Sequence, residues 1–391
     1  MEVRKLTTPE EHFEASLISA VAFHGRIEDV EKWGEGVKKT TAPDWGAFAE
    51  DGKMAARIIN NQYETYFDGH VIKNGGIGAV STLPEYRYEG AIRAIFEKLL
   101  PQAYESGEVI STLYPFNHAF YRKVGYETIC WKSEYKLAPN VLKRYRFTGR
   151  AVLWKPGDPV TAYTALYNRF ASGYNLAMRR DDQMMLERHV KGEYYKDRKF
   201  CYLLCEGERP TAYLIFQDVY HDPAAILSVR DMAWDGPAGF RAILGFLSRF
   251  SADYGEIELF LPRDLELFSV IQAANAYDIK KTTRQGYMAR VVNARKLLSL
   301  MKKPESSRFV IRVSDGLIPE NDGTFAVRGE AVEPTGEAPD LAVSVQALSQ
   351  LALGGVSLGE AAYREDVAIL GNQALLERIF VRKPILVEDH F

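Results

Sequence analysis

The sequence predicts an α/β protein of the α+β kind, built from three units in tandem. At 391 residues the chain exceeds what one ordinary core encloses. An order of hairpin, strand, helix, strand, helix and strand in the first part recurs from Phe200 to Val292. Past Asn293 the texture changes, with ARKLLSLM opening a smaller unit of sheet and helices. The expected boundaries are 1–145, 146–292 and 293–391.

The elements follow from local chemistry. Thr8 caps a helix to about Phe23, Pro9 presets its first φ, and Glu11 reaches back to the cap. Trp45 to Glu50, the Asp51-Gly52 turn and Met54 to Phe67 read as a β-hairpin. Strands are expected at 71–73 and Ile77 to Leu83, a helix at Tyr88 to Ser106, and a strand at Val109 to Tyr114. A second helix from Phe116 ends at Gly125, and a last strand pair runs through Leu137. In the second copy, a hairpin turns at Glu206-Gly207, with strands at Ala225 to Trp234 and Ile257 to Leu261. Its helices are expected at Phe240 to Tyr254 and Leu265 to Ala276, with Tyr163 to His189 as its opening helical segment. The third unit has strands at Phe309 to Val313 and Thr324 to Val332 and helices near Ser344 to Leu353 and Ala374 to Ile379.

Composition narrows the partners. Lys plus Arg number 49 against 52 Asp plus Glu, so no global cationic surface points to nucleic acid or an anionic membrane. Small molecules fit better. The start MEVRKLTTPEEHFEASL is charged where a signal peptide is apolar, and no later run reaches the length of about 18 apolar residues that spans a membrane. A cytoplasmic protein is expected. Cys130, Cys201 and Cys205 form no C-x-x-C pair, and the seven His residues no H-E-x-x-H spacing, so neither disulfide nor metal is expected.

The stretch Gly78 to Gly90, GAVSTLPEYRYEG, joins a β-rich run to a helix start, where unpaired N–H donors and the helix dipole favour a pyrophosphate. Arg87 and Gly90 resemble motif A of the GNAT N-acetyltransferases, written R or Q, R or any residue, any residue, Gly, any residue, then Gly or Ala. Ile92 departs from its last position. The resemblance implies acetyl-CoA as cosubstrate, with the backbone of Val80 and Thr82 holding the pantetheine arm. Arg87, Tyr88, Gly90, Ala91 and Asn117 complete the cofactor-binding set, and Arg93 is a secondary cation. In Phe120-Tyr121-Arg122-Lys123-Val124-Gly125-Tyr126 the chain looks like the GNAT segment whose tyrosine faces the coenzyme sulfur. Tyr121 is therefore the candidate general acid; a phenol at about pKa 10 stands near a leaving thiol at about 8.5. In the second copy the turn Asp235 to Gly239 lacks the arginine and the spacing, so that copy is expected to shape the substrate cleft and subunit contacts without binding coenzyme.

Two GNAT-like acyltransferase folds in tandem, a sterol-carrier-protein-like C-terminal domain and an aromatic last residue together resemble the Eis-type (enhanced intracellular survival) N-acetyltransferases over the whole chain. That resemblance implies a base at the α-carboxylate of Phe391, acting through orientation, electrostatics or a water because its ordinary pKa is only about 3.5. It also implies a homo-oligomer, a hexamer, and a small cationic acceptor of aminoglycoside or polyamine type. Tyr88 and Glu89 stand where Eis-type chains carry further arginines, which points to weaker coenzyme binding. His24, Trp33 and Glu28 are the substrate-binding candidates, with Trp45, Asp29 and Glu31 beside them, because aromatic and acidic walls suit an amine. A protein or peptide N-acetyltransferase, or a non-catalytic lipid-binding protein, are the rival readings. The third unit is expected to have a packed core and no lipid tunnel.

Overall fold

The computed structural model describes residues 1–26, 28, 30, 42–192, 194–221, 224–271, 275 and 277–389. They divide into two compact units, 1–129 with 287–383, and 130–286 with 384–389.

In the first unit, helix α1 (Pro9–Phe23) starts at the expected capping box, with Glu11 N–H donating to Thr8 Oγ1, and stops at His24 in the left-handed region at φ 57°. Strands β1 (Glu2–Lys5), β2 (Asp44–Phe48), β3 (Met54–Phe67), β4 (His70–Thr82) and β5 (Ile110–Leu113) lie side by side in that order. Only β4 and β5 run parallel. Past β5 comes Met288–Val291, and then β6 (Glu127–Thr128) at the edge. Helix α2 (Ala91–Glu105) lays Ile92, Ile95, Phe96, Leu99 and Leu100 on this sheet, the spacing of one helical face, over Ala56, Ile58, Ile77 and Leu113. It begins at Ala91 and not at the expected Tyr88, because a 3-10 turn at Pro84–Tyr86 and a left-handed Tyr88 intervene. Helix α3 (His118–Arg122) is shorter than expected and is capped by Asn117, whose Oδ1 accepts from Phe120 N–H at 3.1 Å.

The last strand of the first copy is a correction. Trp131–Leu137 does not close the first sheet; it lies in the second, between Glu256–Leu261 and Ile279–Gln285, while Met288–Val291 takes its place beside β5. The expected divisions at 145 and 292 accordingly differ from those between 129 and 130 and between 286 and 287. Core membership is the reason. Tyr135 and Leu137 are buried in the second core, and Met288 and Val292 in the first. Alternation marks a strand but not the neighbour it joins.

The rest of the second sheet is Ala224–Trp234, Arg209–His221, Lys199–Glu206 and Arg150–Leu153, with helix Gly236–Leu247 against it. The expected helix from Leu265 is described only at Leu267–Val270, and part of its range lies outside the described residues. The residues expected as a third unit belong to the first compact unit, where they form a five-stranded sheet with helix Val345–Leu353 packed on it. The expected strand Thr324 to Val332 is two, Gly323–Arg328 and Ala331–Pro334, because Gly329 turns the chain at φ 57°.

This third sheet and the first are tied together by Arg290, which is 1% exposed. Its Nη1 donates to the Val124 carbonyl at 3.0 Å, and its Nη2 to Asp315 Oδ1 and Oδ2 at 2.6 and 2.8 Å. Gly125, at φ 89°, leaves room for it: a Cβ there would stand 1.5 Å from Arg290 Nη1. Arg290→Ala strands the Asp315 carboxylate in the interior and is expected to cost about 3–5 kcal/mol, read as a lower midpoint in urea denaturation.

Candidate active site

The site grows from the place where β4 and β5 part. They pair only from Asn74 and Ile110 to Ile77 and Leu113, and β4 runs on to Thr82 beside β3 but without β5. At that point β4 carries a bulge: Ala79 and Val80 stand where β3 has the single residue Ile58, and Ala79 takes φ 51°. A non-glycine residue held there is strained, so its neighbours must hold it. Ser81 Oγ donates to the Ala79 carbonyl at 3.1 Å and lies 3.2 Å from Ser19 Oγ. Arg57, 4% exposed, donates from Nη1 to Ser19 Oγ at 3.2 Å and from Nη2 to Asp44 Oδ2 at 2.8 Å. One buried network thus spans α1, β2, β3 and the bulge, and opens a wedge edged by the Val80 backbone.

The wedge leads to the start of α2. Ala94 N–H donates the first helical bond, to the Gly90 carbonyl at 2.9 Å, so the N–H groups of Ala91, Ile92 and Arg93 precede the ladder. Tyr88 and Gly90, at φ 70° and 82°, turn the chain so that this end stays open, and a Cβ on Gly90 would meet nothing within 4 Å. Arg87, Tyr88 and Glu89 are exposed. Arg93 is taken by Glu97 Oε1 at 2.9 Å. Ile92 points into the core at 8% exposure, so its departure from motif A leaves the donors untouched.

Tyr121 completes the arrangement. It is 2% exposed on α3 and shares one core with Ala91, against which Val80 also packs. Phe116, Phe120 and Tyr126 surround its ring at centroid distances of 5.3, 5.2 and 6.3 Å. Its hydroxyl makes no hydrogen bond to a described residue. Burial raises the phenol above its ordinary value, and the Tyr126 phenol adds to the shift.

Of the remaining candidates, Thr82 pairs with Ala56 at the end of β4, and Asn117 spends its carbonyl on the α3 cap while its amide stays exposed. His24 and Glu28 are both exposed. Trp33, Asp29, Glu31 and Phe391 lie outside the described residues. Trp45 is corrected to a core residue, 7% exposed beneath α2. Sequence reasoning missed Ser81, Arg57 and His118, whose Nε2 is buried without a partner at the start of α3. Position beside the capping Asn117 was the one signal for His118; nothing local marked the others. Among the described residues no group of three or more His, Cys, Asp or Glu gathers to hold a metal, and no helix is long and apolar enough to cross a membrane.

Residues 2–129 match the Acetyltransferase (GNAT) domain family. The N-terminal domain is a GNAT acetyltransferase domain. Residues 288–387 match the Sterol carrier protein domain family. Over the whole chain the fold is similar to three solved structures. One is a probable N-acyltransferase from Enterococcus faecalis V583, at 22% identity and TM-score 0.86, covering 100% of this chain and 99% of that one. A GCN5-related N-acetyltransferase from Anabaena variabilis matches at 18% and 0.86, covering 100% of both chains. Eis1 from Mycobacterium abscessus matches at 19% and 0.82, again over 100% of both. None of the curated proteins matches the sequence.

In the GNAT domain the candidate anion cradle consists of backbone N–H groups more than of side chains. Gly90→Val narrows that cradle and adds left-handed strain of about 1 kcal/mol. It is expected to leave the domain folded by circular dichroism and to weaken acetyl-CoA binding about tenfold in isothermal titration calorimetry.

Proposed function

We propose that the chain is an acetyl-CoA-dependent N-acetyltransferase acting on the amines of a small cationic acceptor by direct attack. The observation that carries this reading is the wedge between β4 and β5, with the unbonded N–H groups of α2 at its end and the buried Tyr121 in the same core.

In this reading the pyrophosphate of the cosubstrate accepts from the N–H groups of Ala91, Ile92 and Arg93, with Arg87 beside it, and the pantetheine arm pairs with the Val80 backbone like an added strand. The Asn117 amide and the Thr82 backbone are the further polar contacts on its path. The neutral amine attacks the thioester carbon, a C–N bond forms, and the C–S bond breaks toward Tyr121. Because burial raises its pKa, the phenol acts chiefly by donating a hydrogen bond to the developing thiolate; complete proton transfer to a thiolate at about 8.5 is uphill from there. The proton released by the acceptor goes through water to the Phe391 carboxylate, the base that the Eis-type resemblance supplies. His24, Trp33 and Glu28 form the acceptor wall. The same reading makes the protein a cytoplasmic homohexamer, and light scattering on the purified chain tests the assembly.

Tyr121→Phe is the direct test, because the hydroxyl has no hydrogen bond to a described residue to lose. Thiol release from acetyl-CoA with a panel of amines, including an aminoglycoside, is expected to fall about 100-fold or more, within the range for a lost hydrogen-bond donor to developing negative charge, with acetyl-CoA affinity unchanged. Equal rates in the two proteins would remove Tyr121 from the mechanism. The raised phenol keeps its proton past its ordinary value of about 10, so wild-type kcat is expected to show no alkaline decline below about pH 10. A decline centred near pH 8 would assign that step to another group.

A further inference from the structure

Asn60 and Gln62, alternate residues of β3, reach from one face of the first sheet to Glu108, which stands between α2 and β5. Glu108 is 1% and Asn60 3% exposed. Glu108 Oε1 accepts from Asn60 Nδ2 at 2.8 Å and from Gln62 Nε2 at 3.0 Å. The other oxygen of each group, Glu108 Oε2 and Asn60 Oδ1, is buried without a partner among the described residues. Both crowd one spot over Gly75 of β4, where a Cβ would stand 2.1 Å from Glu108 Oε2 and 2.5 Å from Asn60 Oδ1. The missing Cβ is what admits them.

Two acceptors gathered in the interior repel each other unless a proton lies between them, and each left unmet costs its own desolvation. An ionised carboxylate only accepts, whereas a protonated one adds an O–H donor. With the proton on Oε2, the acid donates to Asn60 Oδ1 while Oε1 accepts from Asn60 Nδ2. That closed ring of two hydrogen bonds satisfies both unmet atoms at once. Exchanging the oxygen and nitrogen of the Asn60 amide leaves the need in place, because one amide oxygen still faces one carboxylate oxygen.

The surroundings favour the neutral form. From β3 come the uncharged amides of Asn60 and Gln62, and from the negative end of α2 the Ala103 carbonyl, which accepts from the Glu108 N–H at 3.0 Å. Tyr126, fully buried, faces the carboxyl with its hydroxyl 2.7 Å from Ser111 Oγ. Lys73 of β4 is the cation acting on it, and is exposed, with its Nζ donating to the Ser106 carbonyl at 3.1 Å. Burial raises the Glu108 carboxyl above its ordinary value, against the lowering by Gln62, Asn60 and Lys73.

We propose that Glu108 is held as a neutral acid, joined to Asn60 by a ring of two hydrogen bonds, and acts as a pH-sensitive latch across β3, β4 and β5. Gly75 pairs with Gln62 on one side and Ser111 on the other, within the short parallel stretch that forms the closed end of the wedge. Loss of the proton sets a charged oxygen against Asn60 Oδ1 where Gly75 leaves both little room, and loosens that end. An acid whose folded-state pKa is raised stabilises the fold fully below its unfolded value of about 4.3, and loses that contribution as pH rises through the folded-state value.

The test compares the wild-type chain with Glu108→Gln, whose amide reproduces the neutral acid, Nε2 donating to Asn60 Oδ1 and Oε1 accepting. Urea denaturation over a range of pH gives the ratio of the two unfolding constants, wild type over variant. It is expected to rise about tenfold per pH unit from about pH 4.3 until the folded-state value is passed. In hydrogen exchange followed by mass spectrometry, peptides covering 60–62 and 74–76 are expected to exchange alike in acid and faster in wild type at alkaline pH. The Glu108 Cδ resonance of protein labelled with carbon-13 glutamate, assigned by its absence from the variant, is expected to titrate above about 4.3. A midpoint at or below that value, a constant ratio of unfolding constants, or a variant that fails to fold would each overturn the neutral acid, because the amide supplies every bond the acid does. A raised midpoint with equal exchange in the two proteins at every pH would overturn the latch.

Discussion

The buried pair of Arg290 and Asp315 is the constraint on which the first unit depends. Taking two charges out of water is unfavourable unless their hydrogen-bonding capacity is filled. Here Asp315 accepts from Arg290, from Asn321 Nδ2 at 3.0 Å and from the Leu317 N–H at 3.0 Å, and Arg290 also reaches the Val124 carbonyl, while its Nε stays buried without a partner among the described residues. Three separate stretches of sequence therefore meet at one point: the returning strand 288–291, the end of α3, and the sterol-carrier-like domain. The orientation of α3 and its Tyr121 is fixed by residues far away in the chain. A second tie reinforces it. Glu127 accepts from Arg122 at 2.7 Å and from Arg364 at 3.0 Å; burial raises its carboxyl, and these partners together with the Thr128 N–H bring it below its ordinary value.

That dependence gives the C-terminal domain a role that requires no ligand of its own. Helix Val345–Leu353 is buried along Leu348, Leu351 and Leu353, and Gln346 and Gln350 donate to the Arg122 and Thr128 carbonyls at 2.9 and 2.7 Å. Lys383 closes the far end on Asp68 at 2.6 Å, at the turn between β3 and β4. The domain buttresses the sheet that carries the wedge.

Within the GNAT domain, strain and openness are placed where a ligand would use them. The left-handed Ala79, Tyr88 and Gly90 all lie between the parting of β4 and β5 and the first turn of α2. The bulge is supported from beneath by Ser81, Ser19 and Arg57, whereas Gly90 is open. Local irregularity with a buried support on one side only is what a preorganised site requires. The second copy has the same parting of strands, but Leu386 and Glu388 are among the residues that line it, so the two copies share a backbone plan and differ in what lines it.

Much of this was written in local sequence. The Thr8 capping box, the hairpins at Gly52 and Gly207, the apolar stripe of α2 and the Arg87 to Gly90 turn are short-range features, in which side-chain spacing and glycine conformational freedom decide the outcome within a few residues. Tyr121 was legible for the same reason, since it stands at a fixed distance from Gly125. Tertiary structure alone decided the partners. Alternation in 131–137 and 288–291 announces two strands, but which sheet each completes depends on which core buries Tyr135 and Met288, a comparison between surfaces that no window of sequence contains. The Arg290–Asp315 pair, the Ser81 support of the bulge and the burial of Asp389 by Arg180 and His189 join residues that neighbour nothing informative in the chain. Charged residues in polar surroundings look alike in sequence whether they end in solvent or inside, and only the desolvation imposed by the packed fold separates the two.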